Sequence, residues 1–186
     1  FIAWLFFFLS DLSIRQLWII GIGTRLGMVG AFPFLSDDVY RFFWDGKLTW
    51  AGLSPYGILP QDALELHLPH LNIEIFDLLN SQMYYTIYPP ISQLYYMISA
   101  IPDDVYLAAV VMKCLFIITE GVGFYFLLKM MRQQSIPTHW ASIYFLNPLV
   151  IIEGTGNLHY EVIMIAFISI SMFYIFNNKL IYGALW

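Results

Sequence analysis

Hydrophobic positions in this chain gather in long blocks, and the blocks mark membrane-crossing helices. A helix needs roughly 20 apolar residues to cross the hydrocarbon layer of a bilayer. Phe1–Leu9 reads as the tail of one span, and Gln16–Phe34 as a full span interrupted only by Arg25. Val105–Met131 is longer and carries Lys113 and Glu120. His139–Ile152 and Leu158–Phe176 read as a pair of spans hinged at the sequence EGTGNLHYE. Ile91–Ile101 is too short to cross and runs into Pro102-Asp103-Asp104, which predicts a dipping or surface helix. The fold class expected is all-α, a polytopic transmembrane helical bundle forming one membrane domain over residues 1–186. Apolar runs meet both chain ends, so the sequence reads as the N-terminal part of a longer module. The first run lacks the basic start and small-residue cleavage site of a signal peptide.

Positive charges in short connections mark the cytoplasmic side. Arg15, Lys129 with Arg132, and Lys179 share one side if the spans alternate. The opposite, extracytoplasmic side then receives a long loop, residues 36–104, and the GTGNLHYE bend. A long ordered loop in a compact protein is usually functional.

Two charges fall within spans, where an ionised group is costly. Arg25 follows Arg15 by ten residues and Glu120 precedes Lys129 by nine. At about 1.5 Å per residue, both sit roughly 14 Å from the same face. They are expected to pair as a structural ion pair that fixes helix register.

The stretch LSDDVYRFFWDGK, Leu35–Lys47, breaks the apolar pattern with a different periodicity. Ser36 reads as an N-cap, with Asp37 and Asp38 in the first helical turn, where carboxylates favour the dipole. Asp38, Arg41, Asp45 and Thr49 recur at helical spacing and share one face; Val39, Phe42, Phe43 and Trp50 line another. This predicts an amphipathic interfacial helix, apolar side in lipid and polar ridge toward an extracytoplasmic cavity. A carboxylate pair there suits a general base or a divalent metal ion. Arg41 has the spacing of an ion-pair partner for Asp37 or Asp45.

AGLSPYG, Ala51–Gly57, then turns the chain. In MYYTIYPPISQLYY, Met83–Tyr96, Pro89-Pro90 starts the short helix. Most of its tyrosines suit an interfacial belt, with Tyr88 and Gln93 the candidates to face the cavity. In NPLVIIEGTGNLHYE, Gly154, Gly156 and Asn157 break the helix between two spans. Broken helices at membrane depth are tolerated where they line a cavity. Asn157, His159 and Glu161 are the candidates there, although His159 and Glu161, two residues apart, diverge on a helix.

Composition sharpens this picture in three ways. Of 186 residues, 60% are hydrophobic and only 11% charged, against about 25% charged in a typical soluble domain. The net charge of −5 comes without a basic cluster, so no nucleic-acid footprint exists. Cys114 is the sole cysteine and excludes a disulfide framework; in its apolar run it reads as a small buried residue.

The motifs SDDVYRFFWDGKLTWAGLSPY, YYTIYPPISQL and LNPLVIIEGTGNLHYEVIM, in this order, resemble the GT-C superfamily of multi-spanning glycosyltransferases. The likeness is greatest to bacterial polyprenol-phosphate-mannose-dependent mannosyltransferases and covers Gln16 to the end. It implies an inverting glycosyltransferase moving a hexose, mannose, from a polyprenyl-phosphate donor to a lipid-linked or glycan acceptor. It also implies a multi-pass protein of the bacterial plasma membrane, with its active site facing the extracytoplasmic side. The essential aspartate of that superfamily falls here on Asp37-Asp38. Asp38 is the favoured base, and Asp37 a group that positions the acceptor or binds a metal ion. The turn at Asn157–His159 is implied to lie near the donor phosphate, for which the resemblance makes Arg41 a candidate ligand instead of an ion-pair partner.

Inverting transfer needs one base for the acceptor hydroxyl, and the phosphate leaves as a stable anion. A rival reading is a transporter or flippase, with Arg25, Lys113 and Glu120 along a path. It expects inverted repeats, and none is visible. A third is a fragment that anchors a complex without activity. The glycosyltransferase reading requires the acidic ridge and the bend near His159 to share one extracytoplasmic chamber.

Overall fold

A computed structural model describes residues 12–186; the expected span at Phe1–Leu9 lies outside the described residues. Those residues form helices and turns, with no strand among them. The helices are α1 (Ile14–Gly27), α2 (Asp38–Trp50), α3 (Pro60–Leu64), α4 (Ile73–Asp77) and α5 (Pro90–Ser99). They continue as α6 (Val105–Gln133), α7 (Ser142–Phe145), α8 (Pro148–Val150), α9 (Glu161–Phe176) and α10 (Leu180–Ala184). Two compact units result: one takes the chain up to Ala31 with Phe116–Trp186, the other Phe32–Leu115.

In the first unit, α1 starts on a capping box. Ser13 Oγ accepts from the Gln16 N–H at 3.3 Å, and Gln16 Oε1 accepts from the Ser13 N–H at 2.9 Å. The helix stops at Gly27, short of the expected Gln16–Phe34 span. Gly27 and Gly30 are weak helix formers, and Pro33 cannot continue the helical ladder. Fourteen residues give about 21 Å, too little to cross a bilayer unaided.

Leu17 anchors α1 in a core with Phe124, Leu128, Met131, Ala141, Phe145 and Leu146. The Phe124 and Phe145 rings stack at 3.7 Å between centroids, and Trp18 meets both edge-on at 5.0 and 5.7 Å. Against this core lies Arg25, fully buried, with Glu120 beside it. Arg25 Nε donates to Glu120 Oε2 at 2.7 Å and Nη2 to Oε1, a two-point grip. Its Nη1 donates to the Gly21 and Phe145 carbonyls at 2.9 and 2.8 Å. The guanidinium also lies 4.3 Å from the Phe145 ring centroid. Four of the five guanidinium N–H donors are thus bonded, which is how a charge survives in an apolar core.

Helix α6, 29 residues long, is the clear membrane-span candidate among the described residues. Its Cys114, expected to be buried, is exposed. The span expected at His139–Ile152 is not one helix. A 3₁₀ turn, Thr138–Ala141, leads into α7, which ends before Asn147-Pro148. The proline excludes the helical region for Asn147, whose backbone is extended (ψ 120°). Asn147 Oδ1 then caps a new start by accepting from the Leu149 N–H at 3.0 Å. Helix α8 runs into a π-helical turn, Ile151–Gly156, and α9 leaves at 108° to that segment. The pair has the form of one broken span or a re-entrant loop. A Cβ on Gly154 would collide with Val162, so glycine lets the turn close on α9.

In the second unit, α2 is the central element. Phe42, Phe43, Trp44, Leu48 and Val39 are all buried. The expectation that its apolar side lies in lipid is therefore corrected: protein covers that side. Phe42 stacks on Tyr96 of α5 at 4.5 Å, and Trp44 packs with Leu48, Ala63, Leu71 and Leu79. Phe43 packs with Ala100 and Ala108. Gly46 makes the approach possible, since a Cβ there would overlap the Tyr96 carbonyl. Trp50 is exposed, but its indole N–H donates to the Met97 carbonyl at 2.7 Å.

Candidate active site

Helix α2 starts one residue later than the sequence suggests. Asp37 takes the N-cap position with helical φ and ψ and no side-chain capping bond, while Ser36 Oγ accepts from the Asp38 N–H at 3.3 Å. The two aspartates separate as a result. Asp37 is exposed, whereas half-buried Asp38 reaches a cavity of about 410 Å³. The remaining wall is Arg41, Asn80, Ser81, Tyr84, Tyr85, Thr86, Ile87 and Tyr88. Asn80 Nδ2 donates to Asp38 Oδ1 at 2.8 Å.

Arg41 lies one turn beyond Asp38, and its charge is already engaged. Nε donates to Asp45 Oδ1 at 2.8 Å. Nη1 donates to the Ser81 carbonyl at 3.0 Å, to Ser81 Oγ at 3.1 Å and to the Tyr84 carbonyl at 2.9 Å. The arginine thus ties α2 to the loop that forms the cavity wall. Asp45 is fully buried, and Gln93 Nε2 donates both to its Oδ2 at 3.1 Å and to Thr86 Oγ1 at 2.9 Å. Burial raises Asp45 above the usual carboxylate range, opposed by the Arg41 charge and by bonds from Thr86 and Gln93.

The polar ridge expected along Asp38, Arg41, Asp45 and Thr49 is therefore not one open surface. Asp38 and Arg41 border the cavity; Asp45 and Gln93 form a network behind it; Thr49 Oγ1 donates back to the Asp45 carbonyl at 2.9 Å. Of the two residues proposed from the tyrosine-rich motif, Tyr88 faces the cavity and Gln93 does not. Tyr88 is hydrogen-bonded to Asp38, and burial, then the Asp38 and Asp45 charges, push its hydroxyl well above the usual tyrosine range. It stays protonated as a donor. Its ring meets Phe42 and Tyr96 edge-on at 5.3 and 5.4 Å.

A second cluster belongs to the first unit. His159 Nδ1 and Asn157 Nδ2 lie 3.3 and 3.2 Å from Glu153 Oε2. Glu161, exposed in the first turn of α9, takes no part in those bonds. Glu153 was absent from the expected set because ordinary helical spacing does not set it beside His159. The π turn does, and the His159 N–H bonds the Glu153 carbonyl at 3.0 Å. Asn80 was missed for a related reason: it stands in a turn without periodicity.

Asp38 is the only carboxylate among the described residues that line the cavity, beside the Arg41 guanidinium and amide, hydroxyl and aromatic groups. Among the described residues no three His, Cys, Asp or Glu side chains gather to hold a metal ion. Asp37 is outside the cavity wall, so the two aspartates do not both face it.

An acidic, tyrosine-walled cavity suits a neutral polyhydroxylated ligand. Over residues 1–186 the chain matches the model of the MptA_B family, described as alpha-(1->6)-mannopyranosyltransferase, N-terminal domain. The chain belongs to this family. No curated protein and no solved structure matches it. The resemblance read from the three motifs thus points to the right class: a mannosyltransferase, which takes mannose from a sugar donor to an acceptor. In such an enzyme the cavity beside Asp38 brings a potential base together with aromatic surfaces on which a sugar ring can lie.

Proposed function

We propose that this enzyme transfers mannose from a polyprenyl-phosphate donor to a 6-hydroxyl of a lipid-linked or glycan acceptor, with inversion, and that Asp38 is the base. The acceptor hydroxyl gives its proton to Asp38 as its oxygen bonds to the donor's anomeric carbon. The bond from that carbon to the phosphate oxygen breaks, and the phosphate leaves with the electron pair. The observation that carries the reading is the state of the cavity's charges. Asp38 stands in the wall, while Arg41 is committed to Asp45, Ser81 and Tyr84. With Arg41 paired to Asp45 and Asp38 uncompensated by a second cation in the wall, the cavity favours a neutral sugar over a phosphate. It is an acceptor site.

The protein is a polytopic membrane enzyme working on the extracytoplasmic side. Membrane residence rests on the length and apolar composition of α6 and on the bent pair of α8 with α9, and the side rests on the placement of Arg15, Lys129, Arg132 and Lys179. The turn at Asn157–His159 is assigned to the donor's side of the reaction by the resemblance alone, and Glu153 joins it through its contacts with both residues.

The test is transfer from polyprenyl-phosphate mannose to an alkyl α-mannoside in membranes holding the full chain. Asp38→Asn is expected to lower transfer by about 10²- to 10⁴-fold, the range for a lost general base. Asp37→Asn stays near wild type. Undiminished transfer by Asp38→Asn overturns the assignment.

A further inference from the structure

Asn80 stands next to the proposed base in a loop that is pinned on both sides. Before it, Leu79 is buried in the Trp44 core. After it, Ser81 is held through its carbonyl and its hydroxyl by Arg41 Nη1. Gln82 Nε2 also donates to the Phe76 carbonyl at 2.9 Å. The backbone at position 80 is therefore set independently of the Asn80 side chain, which is exposed and packs into no core. One polar contact crosses from that side chain to another element: Nδ2 to Asp38 Oδ1 at 2.8 Å.

Asp38 and Arg41, one turn apart on α2, thus grip consecutive loop residues. The arginine grips for the loop's sake, since its own charge is balanced by Asp45. The amide of Asn80 serves the carboxylate. An ionised carboxylate has about four lone-pair directions. The Asn80 amide and the Tyr88 hydroxyl occupy two, leaving the carboxylate oriented and still able to accept a proton from the cavity.

We infer that Asn80 is a positioning residue, its side-chain amide fixing the Asp38 carboxylate toward the acceptor hydroxyl. This rests on the reading of Asp38 as base. Misplacing a reacting group by about 1 Å costs on the order of 10²-fold in rate, so the expected signature is a fall in kcat with acceptor binding retained.

The experiment compares Asn80→Ala and Asn80→Asp in the full chain, alone and in an Asp38→Glu background, by transfer from polyprenyl-phosphate mannose to an alkyl α-mannoside. Asn80→Asp keeps the shape, removes the donor and sets a second carboxylate against Asp38, whereas Asn80→Ala removes the donor without adding charge. Each single variant is expected to lower kcat about 10- to 100-fold, with acceptor KM changed less than about threefold and the melting midpoint unchanged. In Asp38→Glu the carboxylate has moved off the amide, so adding Asn80→Ala should cost less than about twofold. Wild-type kcat in both Asn80 variants overturns the inference, as does an equal loss with and without Asp38→Glu. If Asp38→Asn is inactive while Asn80→Ala is fully active, only the Asn80 role fails. If Asp38→Asn is fully active, the base assignment fails with it.

Discussion

Gly123 of α6 rests directly on Ala166 of α9, backbone against backbone. A Cβ at position 123 would overlap both Cα and Cβ of Ala166. Small residues permit such approaches between apolar helices, where close packing replaces the hydrophobic drive. Gly123→Ala is expected to cost about 1–3 kcal/mol, read as a lower melting midpoint in detergent. Gly23, in mid-α1, faces open space. Gly23→Ala should stabilise by about 0.5–1 kcal/mol, the helix-propensity difference.

Arg25→Ala leaves Glu120 as an unpaired buried charge and is expected to cost about 3–5 kcal/mol. Replacing both partners, Arg25→Met with Glu120→Leu, should cost clearly less. The exchange Arg25→Glu with Glu120→Arg restores opposite charges but not the bonds to the Gly21 and Phe145 carbonyls. Partial recovery of folded yield is expected, by size-exclusion profile. No recovery would refute the charge coupling.

The Asp45 carboxyl titrates above its unfolded value, so its contribution to stability is present below that value, about pH 4, and is lost as pH rises through the folded one. Asp45→Asn removes the titration. The difference in melting midpoint between wild type and Asp45→Asn should move against wild type as pH rises from about 4. A difference independent of pH, or of opposite slope, would show that the Arg41 charge outweighs burial.

Tyr84 and Tyr85 border the cavity with 70% and 51% of their surface exposed. Truncating either to alanine should leave the melting midpoint within experimental scatter and raise acceptor KM about 3- to 10-fold, a stacking loss of roughly 1 kcal/mol. Unchanged KM in both variants would remove the aromatic wall from acceptor binding.

The parts of the fold legible in the sequence are those set by local rules. The expected span Val105–Met131 matches α6 to within two residues, because an unbroken apolar run leaves few alternatives. Pro89-Pro90 marks the start of α5 as expected. Two errors came from reading hydrophobicity without breakers: Gly27, Gly30 and Pro33 end α1 early, and Asn147-Pro148 splits the run at 139–152. A third has a different origin. The periodicity of α2 revealed an apolar face but not what covers it, and α5 covers it instead of lipid. At the site, the aspartate pair was visible, yet only a one-residue shift in helix start separates Asp38 from Asp37. Asn80 and Glu153 depend on a turn and a π turn, which leave no repeat along the chain.

Leu158 closes the bend before α9 in the left-handed region, at φ 63°, with its side chain fully sunk into the protein. A leucine is an unfavourable choice for that backbone, and here its burial holds the strained angle in place. With the histidine N–H tied back to Glu153 across the same turn, the corner is braced from inside and outside. The imidazole and carboxylate that meet across this elbow are therefore placed by main chain that is set on both sides of the turn.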